Sequence, residues 1–191
     1  MIIGRILSPV HALGPGARIG LWVKGCSKNC PGCMSTDLQA MDGESIDVKS
    51  LADVILHLAK MNAIKALTIS GGDPFEQAES LKEFLTIIRN SFEDILVYTG
   101  FTLKEIMQGA AGECGIDCID LIDVLIDGRY VQDDNAAECV LRGSANQKII
   151  FLNKEIEEKY VEYMRMGRMV EIFHHSDETI IVGILNKEEH E

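Results

Sequence analysis

Three cysteines fall within eight residues, in the run Cys26-Ser-Lys-Asn-Cys30-Pro-Gly-Cys33, directly after the apolar stretch Ile19 to Val23. A strand that ends in a short loop carrying three thiols, with no histidine nearby, constrains both the fold and the chemistry. The strand places the loop at a sheet edge, and the loop offers three soft ligands at one spot. Gly25, Pro31 and Gly32 supply the tight backbone turns such a wrap needs. Spacing alone leaves two metal readings and one without metal. They are iron–sulfur chemistry, a structural zinc site completed by Cys114, Cys118 or Cys139, and a set of free thiols.

The rest of the chain predicts an α/β fold. Ser50 begins a stripe of Leu51, Val54, Ile55, Leu58 and Ala59 at helical spacing, with Ser50 as the expected cap. Ala66 to Ser70 reads as a buried strand stopped by Gly71-Gly72 and Pro74. Leu81, Phe84, Leu85 and Ile88 give a second helix, Ile95 to Tyr98 a strand, and Thr102 to Gln108 a third helix. Val124 to Ile126 and Ile149 to Leu152 are the next strand candidates. Strands alternating with helices, several of them ending in Gly plus a polar residue, predict a parallel sheet with its loops converging at one edge. Beyond residue 152, Met169 to Phe173 and Thr179 to Leu185 flank a polar turn at 174–178, which predicts a C-terminal β-hairpin. The expectation is one domain over 1–191, in which 153–191 form a helix and hairpin extension.

Composition narrows the function classes. The chain has 191 residues, a formal charge of −12 and 47% apolar residues, and no apolar run approaches a membrane span. Lys104 and Arg129 are the only lysine and arginine between residues 91 and 140, so the acidity is regional. General nucleic-acid binding is not expected of such a surface. The opening MIIGRILSPV lacks the apolar core and cleavage pattern of a signal peptide, so cytoplasmic residence is the expectation.

The CxxxCxxC loop resembles that of radical S-adenosylmethionine enzymes. A longer series resembles the activating proteins of anaerobic ribonucleotide reductases. It comprises Gly14-Pro-Gly-Ala-Arg18, Trp22-Val-Lys-Gly-Cys26, Cys30-Pro-Gly-Cys33, Ser70-Gly-Gly-Asp-Pro74, Tyr98-Thr-Gly100, Asp127-Gly-Arg129 and Arg142-Gly-Ser-Ala-Asn-Gln147, in that order across roughly residues 3 to 152. The cysteine loop followed by SGGDP carries most of the specificity.

The resemblance implies an incomplete TIM-like barrel. It implies that Cys26, Cys30 and Cys33 hold three irons of a 4Fe-4S cluster whose remaining iron binds S-adenosylmethionine. Ser70, Gly71, Gly72 and Asp73 match the stretch that contacts the methionine portion in such enzymes, Asp73 standing where glutamate is commoner. Arg142, Ser144, Asn146 and Gln147 match a late block near the cofactor edge. The implied activity is reductive cleavage of S-adenosylmethionine to a 5′-deoxyadenosyl radical, which installs a glycyl radical on the large subunit of an anaerobic ribonucleotide reductase. A flavodoxin or ferredoxin is the implied electron donor. Two other readings remain: a radical enzyme acting on another peptide or a small molecule, and a non-catalytic iron–sulfur or zinc protein that binds a partner.

Overall fold

The computed structural model describes residues 1–175 and 178–185. Chain order is β1 (Ile3–Val10), β2 (Arg18–Val23), α1 (Val48–Asn62), β3 (Ala66–Gly71), α2 (Ala78–Ile88), β4 (Asp94–Tyr98), α3 (Leu103–Met107), α4 (Gly112–Ile119), β5 (Val124–Asp127), β6 (Lys148–Phe151), α5 (Glu157–Met164), β7 (Val170–His175) and β8 (Glu178–Gly183). One six-stranded sheet runs β1-β2-β3-β4-β5-β6, and β7 and β8 form a separate hairpin. The pairs β2–β3, β3–β4 and β4–β5 are parallel, whereas β1 and β6 join antiparallel at the two edges.

The expected C-terminal hairpin is present, and the sheet expected to be parallel is mainly so, its two edge pairs being antiparallel. The sheet does not close into a barrel: the parallel βα repetition stops after four strands and an antiparallel strand takes each edge. Residues 3–10 become a strand by pairing with β2, which no local pattern in them announces. Helix α4 lies in a segment for which no helix is expected from the sequence. The cap of α1 is Asp47, whose side chain accepts from the Ser50 backbone N–H at 2.8 Å, rather than Ser50 itself. The hairpin strands extend into the expected turn, of which residues 176–177 lie outside the described residues.

Alternation along the strands sorts the two sheet faces. Ile19, Leu21 and Val23 of β2, Leu67 and Ile69 of β3, Ile95 and Val97 of β4 and Leu125 of β5 share one core with the buried stripes of α1 and α2. The α2 stripe, Leu81, Phe84, Leu85 and Ile88, is the one read from the sequence; on α1, Leu51, Ile55 and Ala59 are buried as expected, but Ala52 takes the place of Val54, which is exposed, and Leu58 is only half-buried. The opposite face carries Leu96, Val124 and Ile126, packed with Tyr160 and Tyr163 of α5, and Trp22, packed with Val182 of β8.

That second face is polar at both ends. Where the parallel strands begin, Arg18 is fully buried; its Nη1 and Nη2 donate to Asp94 at 2.8 and 3.1 Å, and its Nε donates to Thr68 Oγ1 at 2.7 Å. Tyr160 O–H donates to the same carboxylate at 2.7 Å, and Lys159 Nζ lies 3.0 Å from it. Where the strands end, Trp22, Ser70 and Tyr98 border a cavity. Among the described residues, no helix is long and apolar enough to cross a membrane.

Candidate functional site

The cysteine loop leaves β2 at Val23 and is fixed at its root by backbone hydrogen bonds. Gly25 N donates to Leu38 O at 2.8 Å, Cys26 N to Gln39 O at 2.9 Å, and Asp73 N to Gly25 O at 2.8 Å. Cys33 N donates to Cys30 O at 3.2 Å, closing a turn through Pro31 and Gly32. All six cysteines are free thiols; Cys26, Cys30 and Cys33 are half-buried, while Cys118 and Cys139 are buried. Burial pushes the Cys26 thiol up, partly offset by the backbone N–H groups of Lys28 and Asn29. Among the described residues, no three His, Cys, Asp or Glu side chains stand together as a metal-ion site.

Beside the loop lies a cavity of about 200 Å³, bordered by Cys33, Met34 and Ser35, by Ser70 and Gly71 at the end of β3, by Trp22 and Tyr98, and by Gln147. A further wall is the C-terminal hairpin arm: all of Ile180 to Leu185 border the cavity. Successive strand residues point to opposite faces, so a strand that lines a cavity with consecutive residues presents its edge to it.

The SGGD block divides between cavity and scaffold. Ser70 and Gly71 face the cavity. Gly72 N donates to Val23 O at 2.8 Å and keeps the two strand ends together. Asp73 is fully buried: Oδ1 accepts from Thr99 Oγ1 at 2.8 Å and Phe75 N at 3.1 Å, and Oδ2 accepts from Gly100 N at 2.9 Å. Its carboxylate caps the turn after β3 and ties it to the end of β4. Burial raises the Asp73 pKa, with these three donors pulling the other way.

The late block is also mostly spent on the backbone. Gln147 Nε2 donates to Gly128 O at 2.8 Å, while its Oε1 accepts from Gly143 N at 2.8 Å and Ser144 N at 3.2 Å. Asn146 Nδ2 donates to Arg129 O at 2.8 Å, and Ser144 Oγ accepts from Val131 N at 3.1 Å. Arg142 Nη1 donates to the carbonyls of Ala145 at 3.3 Å and Gln147 at 3.0 Å. The block is a clasp on residues 128–131, with Gly143 and Gln147 as the members that border the cavity. Asp127 belongs to the same edge, its Oδ2 accepting from Leu103 N at 2.7 Å.

Removing the clasp strands three backbone groups. Gln147→Ala is expected to cost about 2 kcal/mol and to speed amide exchange across residues 128–131 and 143–147, read by mass spectrometry. Exchange unchanged in those segments would contradict the assignment.

Sequence reasoning placed the hairpin but missed the residues that hold it against the cavity. Arg168 donates to Leu185 O at 2.9 Å and to Asn135 Oδ1 at 2.8 Å, and Asn135 Nδ2 donates to Leu185 O at 3.2 Å and to Tyr130 Oη at 3.1 Å. The contacts that reach Leu185 span 17 and 50 residues of sequence, so no local pattern announces them.

The family model of the 4Fe-4S single cluster domain matches residues 12–150. The anaerobic ribonucleoside-triphosphate reductase-activating protein of Escherichia coli (strain K12) is 32% identical over 143 residues, covering 71% of this chain and 89% of the relative. The chain belongs to this family of reductase-activating proteins. The protein of the same name from Enterobacteria phage T4 is 30% identical over 141 residues, covering 71% of this chain and 85% of its own, and that of Pasteurella multocida (strain Pm70) is 36% identical over 143 residues, covering 71% and 88%. The matched domain contains the cysteine loop, the SGGD block and the clasp. The hairpin lies beyond residue 150, so this family member closes its cavity with a segment outside the matched domain.

Proposed function

We propose that this chain is a radical S-adenosylmethionine enzyme that activates an anaerobic ribonucleotide reductase by installing a glycyl radical on its large subunit. The observation that carries the reading is one juxtaposition. A loop with three free, half-buried thiols borders, through Cys33, a cavity whose edge is Ser70-Gly71, and both lie inside the matched 4Fe-4S domain. The donor set fits an iron–sulfur cluster, since three soft ligands arise from one loop and the Cys26 sulfur already faces two backbone N–H groups.

Cys26, Cys30 and Cys33 would hold the cluster. When bound and reduced by a flavodoxin or ferredoxin, it supplies the electron that cleaves S-adenosylmethionine to methionine and a 5′-deoxyadenosyl radical. The chain's own contribution is placement and exclusion. Ser70, Gly71 and Gln147 border the space for the cofactor, while Gly72, Asp73, Arg142, Ser144 and Asn146 hold those borders by internal hydrogen bonds. Trp22, Leu13 and the apolar residues Ile180 to Leu185 keep water from the same space. Cys33 and the hairpin arm both border the cavity, which is where a glycine-bearing segment of the reductase would meet the cofactor.

Anaerobic reconstitution with iron and sulfide tests the reading. The reduced protein is expected to release 5′-deoxyadenosine from S-adenosylmethionine, and to give a glycyl-radical signal by electron paramagnetic resonance when the companion reductase is added. Cys30→Ala is expected to bring both to background. Cofactor cleavage without a radical on the reductase would move the assignment to another peptide or a small molecule. A zinc ion on these cysteines, or a cluster with a protein ligand on every iron, would overturn the radical reading.

A further inference from the structure

Lys28 sits between the first two cysteines, yet only 7% of its side chain is exposed. Its ammonium lies 3.3 Å from the centroid of the Phe101 ring, 3.0 Å from Glu76 Oε1 and 3.3 Å from Ser27 Oγ. The stem runs against the end of β4, where a Cβ on Gly100 would stand 2.8 Å from Lys28 Cγ. Glu76 Oε1 also accepts from Ser27 N at 3.2 Å and from Ser27 Oγ. A loop lysine left to itself keeps its ammonium in water and its rotamers free. Here the ammonium is fixed by an aromatic face and a carboxylate, and the backbone N–H of the same residue faces the Cys26 sulfur.

A fixed charge in a water-poor site acts on nearby electron transfer, because little solvent remains to screen it. One-electron reduction of a cluster by a low-potential one-electron donor adds one negative charge and makes or breaks no bond. A neighbouring cation favours the reduced form and a neighbouring anion disfavours it.

We propose that Lys28, buried, and Glu76, half-buried, are a charge pair that sets the reduction potential of the cluster held by Cys26, Cys30 and Cys33, Lys28 raising it and Glu76 lowering it. The proposal rests on the cluster reading given above. Both are positioning residues: they act on the cluster through charge and loop placement, not as ligands.

The test is a reductive titration of the reconstituted protein followed by electron paramagnetic resonance, with neither S-adenosylmethionine nor reductase present. Lys28→Met is expected to shift the reduction equilibrium at fixed potential about tenfold toward the oxidised cluster, 59 mV for a one-electron couple. Glu76→Gln, which keeps an acceptor for Ser27, is expected to shift it by a similar factor the opposite way, and Lys28→Arg to stay close to wild type. If Lys28 only anchors the loop, the variants lose iron content while the cluster that remains titrates at the wild-type potential, and the proposal is overturned. Should Lys28→Met fail to retain a cluster, the sign of the Glu76→Gln shift decides: no shift, or a shift in the Lys28→Met direction, overturns it. Failure of the underlying reading looks different, since wild type itself would then show no reducible cluster.

Discussion

Asp94→Ala is expected to lower the unfolding free energy by about 3–5 kcal/mol, the range for stripping one partner from a buried ion pair. Arg18 is fully buried, and among the described residues Asp94 is its only carboxylate partner; its other partners are the Thr68 hydroxyl and the carbonyls of Pro15, Leu67 and Asp94. Without Asp94 the guanidinium keeps its charge and loses its compensation, and Tyr160 loses its acceptor. Lys159→Ala is expected to cost far less, because that side chain is 41% exposed. Urea unfolding of the two variants checks the order. Arg18→Met with Asp94→Leu is expected to recover much of the loss, because a charge pair replaced by apolar volume leaves nothing unpaired. A double variant no better than Asp94→Ala would place the cost in packing.

The same pair has a pH signature. Burial alone pushes the Asp94 carboxyl up, but Arg18 with Tyr160 and Lys159 outweighs it, and the group sits below the usual carboxylate range. A carboxylate with a lowered folded-state pKa contributes stability that is present above its unfolded value of about 3.9 and lost as pH falls through the lowered value. The gap in stability between wild type and Asp94→Ala is therefore expected to be constant near neutrality and to narrow below about pH 4. A gap independent of pH down to acid unfolding would contradict this.

Gly71→Ala is expected to cost roughly 2–5 kcal/mol, combining a strained backbone with overpacking. Gly71 has φ +113°, and an added Cβ would stand 2.3 Å from Val23 O and 2.5 Å from Val23 N. Both atoms are backbone of the strand that feeds the cysteine loop, so no rotamer relieves the clash. Gly72 has a related constraint, its Cβ meeting Gly25 O at 2.4 Å and Leu38 O at 2.8 Å. Either substitution pushes β3 away from the root of the loop, so a drop in bound iron is expected alongside the drop in unfolding midpoint. A Gly71→Ala protein with wild-type iron content and midpoint would show that the loop root tolerates displacement.

Much of the architecture was legible because it is written in local patterns. The stripes of α1 and α2 repeat at helical spacing, and the loop at residues 26–33 follows a strand whose residues are all buried. Edge strands were less legible. β1 alternates poorly and owes its form to register with β2, while the antiparallel direction of β6 depends on a long return from β5. The polar residues of the two cofactor blocks were found as residues, but not in their local use. Asp73, Ser144 and Asn146 bond to backbone groups, and a sequence pattern does not distinguish a side chain that holds a loop from one that meets a ligand. The cavity wall at Ile180 to Leu185 was the least legible feature, because it depends on the distant partners Arg168 and Asn135.

The uneven burial of the six sulfurs gives the chain a built-in ledger for chemical labelling. Cys118 is enclosed, its thiol pushed up to about 12 mainly by burial, and Cys139 has no exposed surface. An alkylating reagent attacks the accessible thiolate, so in the native state both stay silent. Mass added to the peptide that spans residues 26–33 then reports directly on whether those sulfurs are engaged, with the two enclosed sulfurs as an internal blank that lights up only when the chain unfolds.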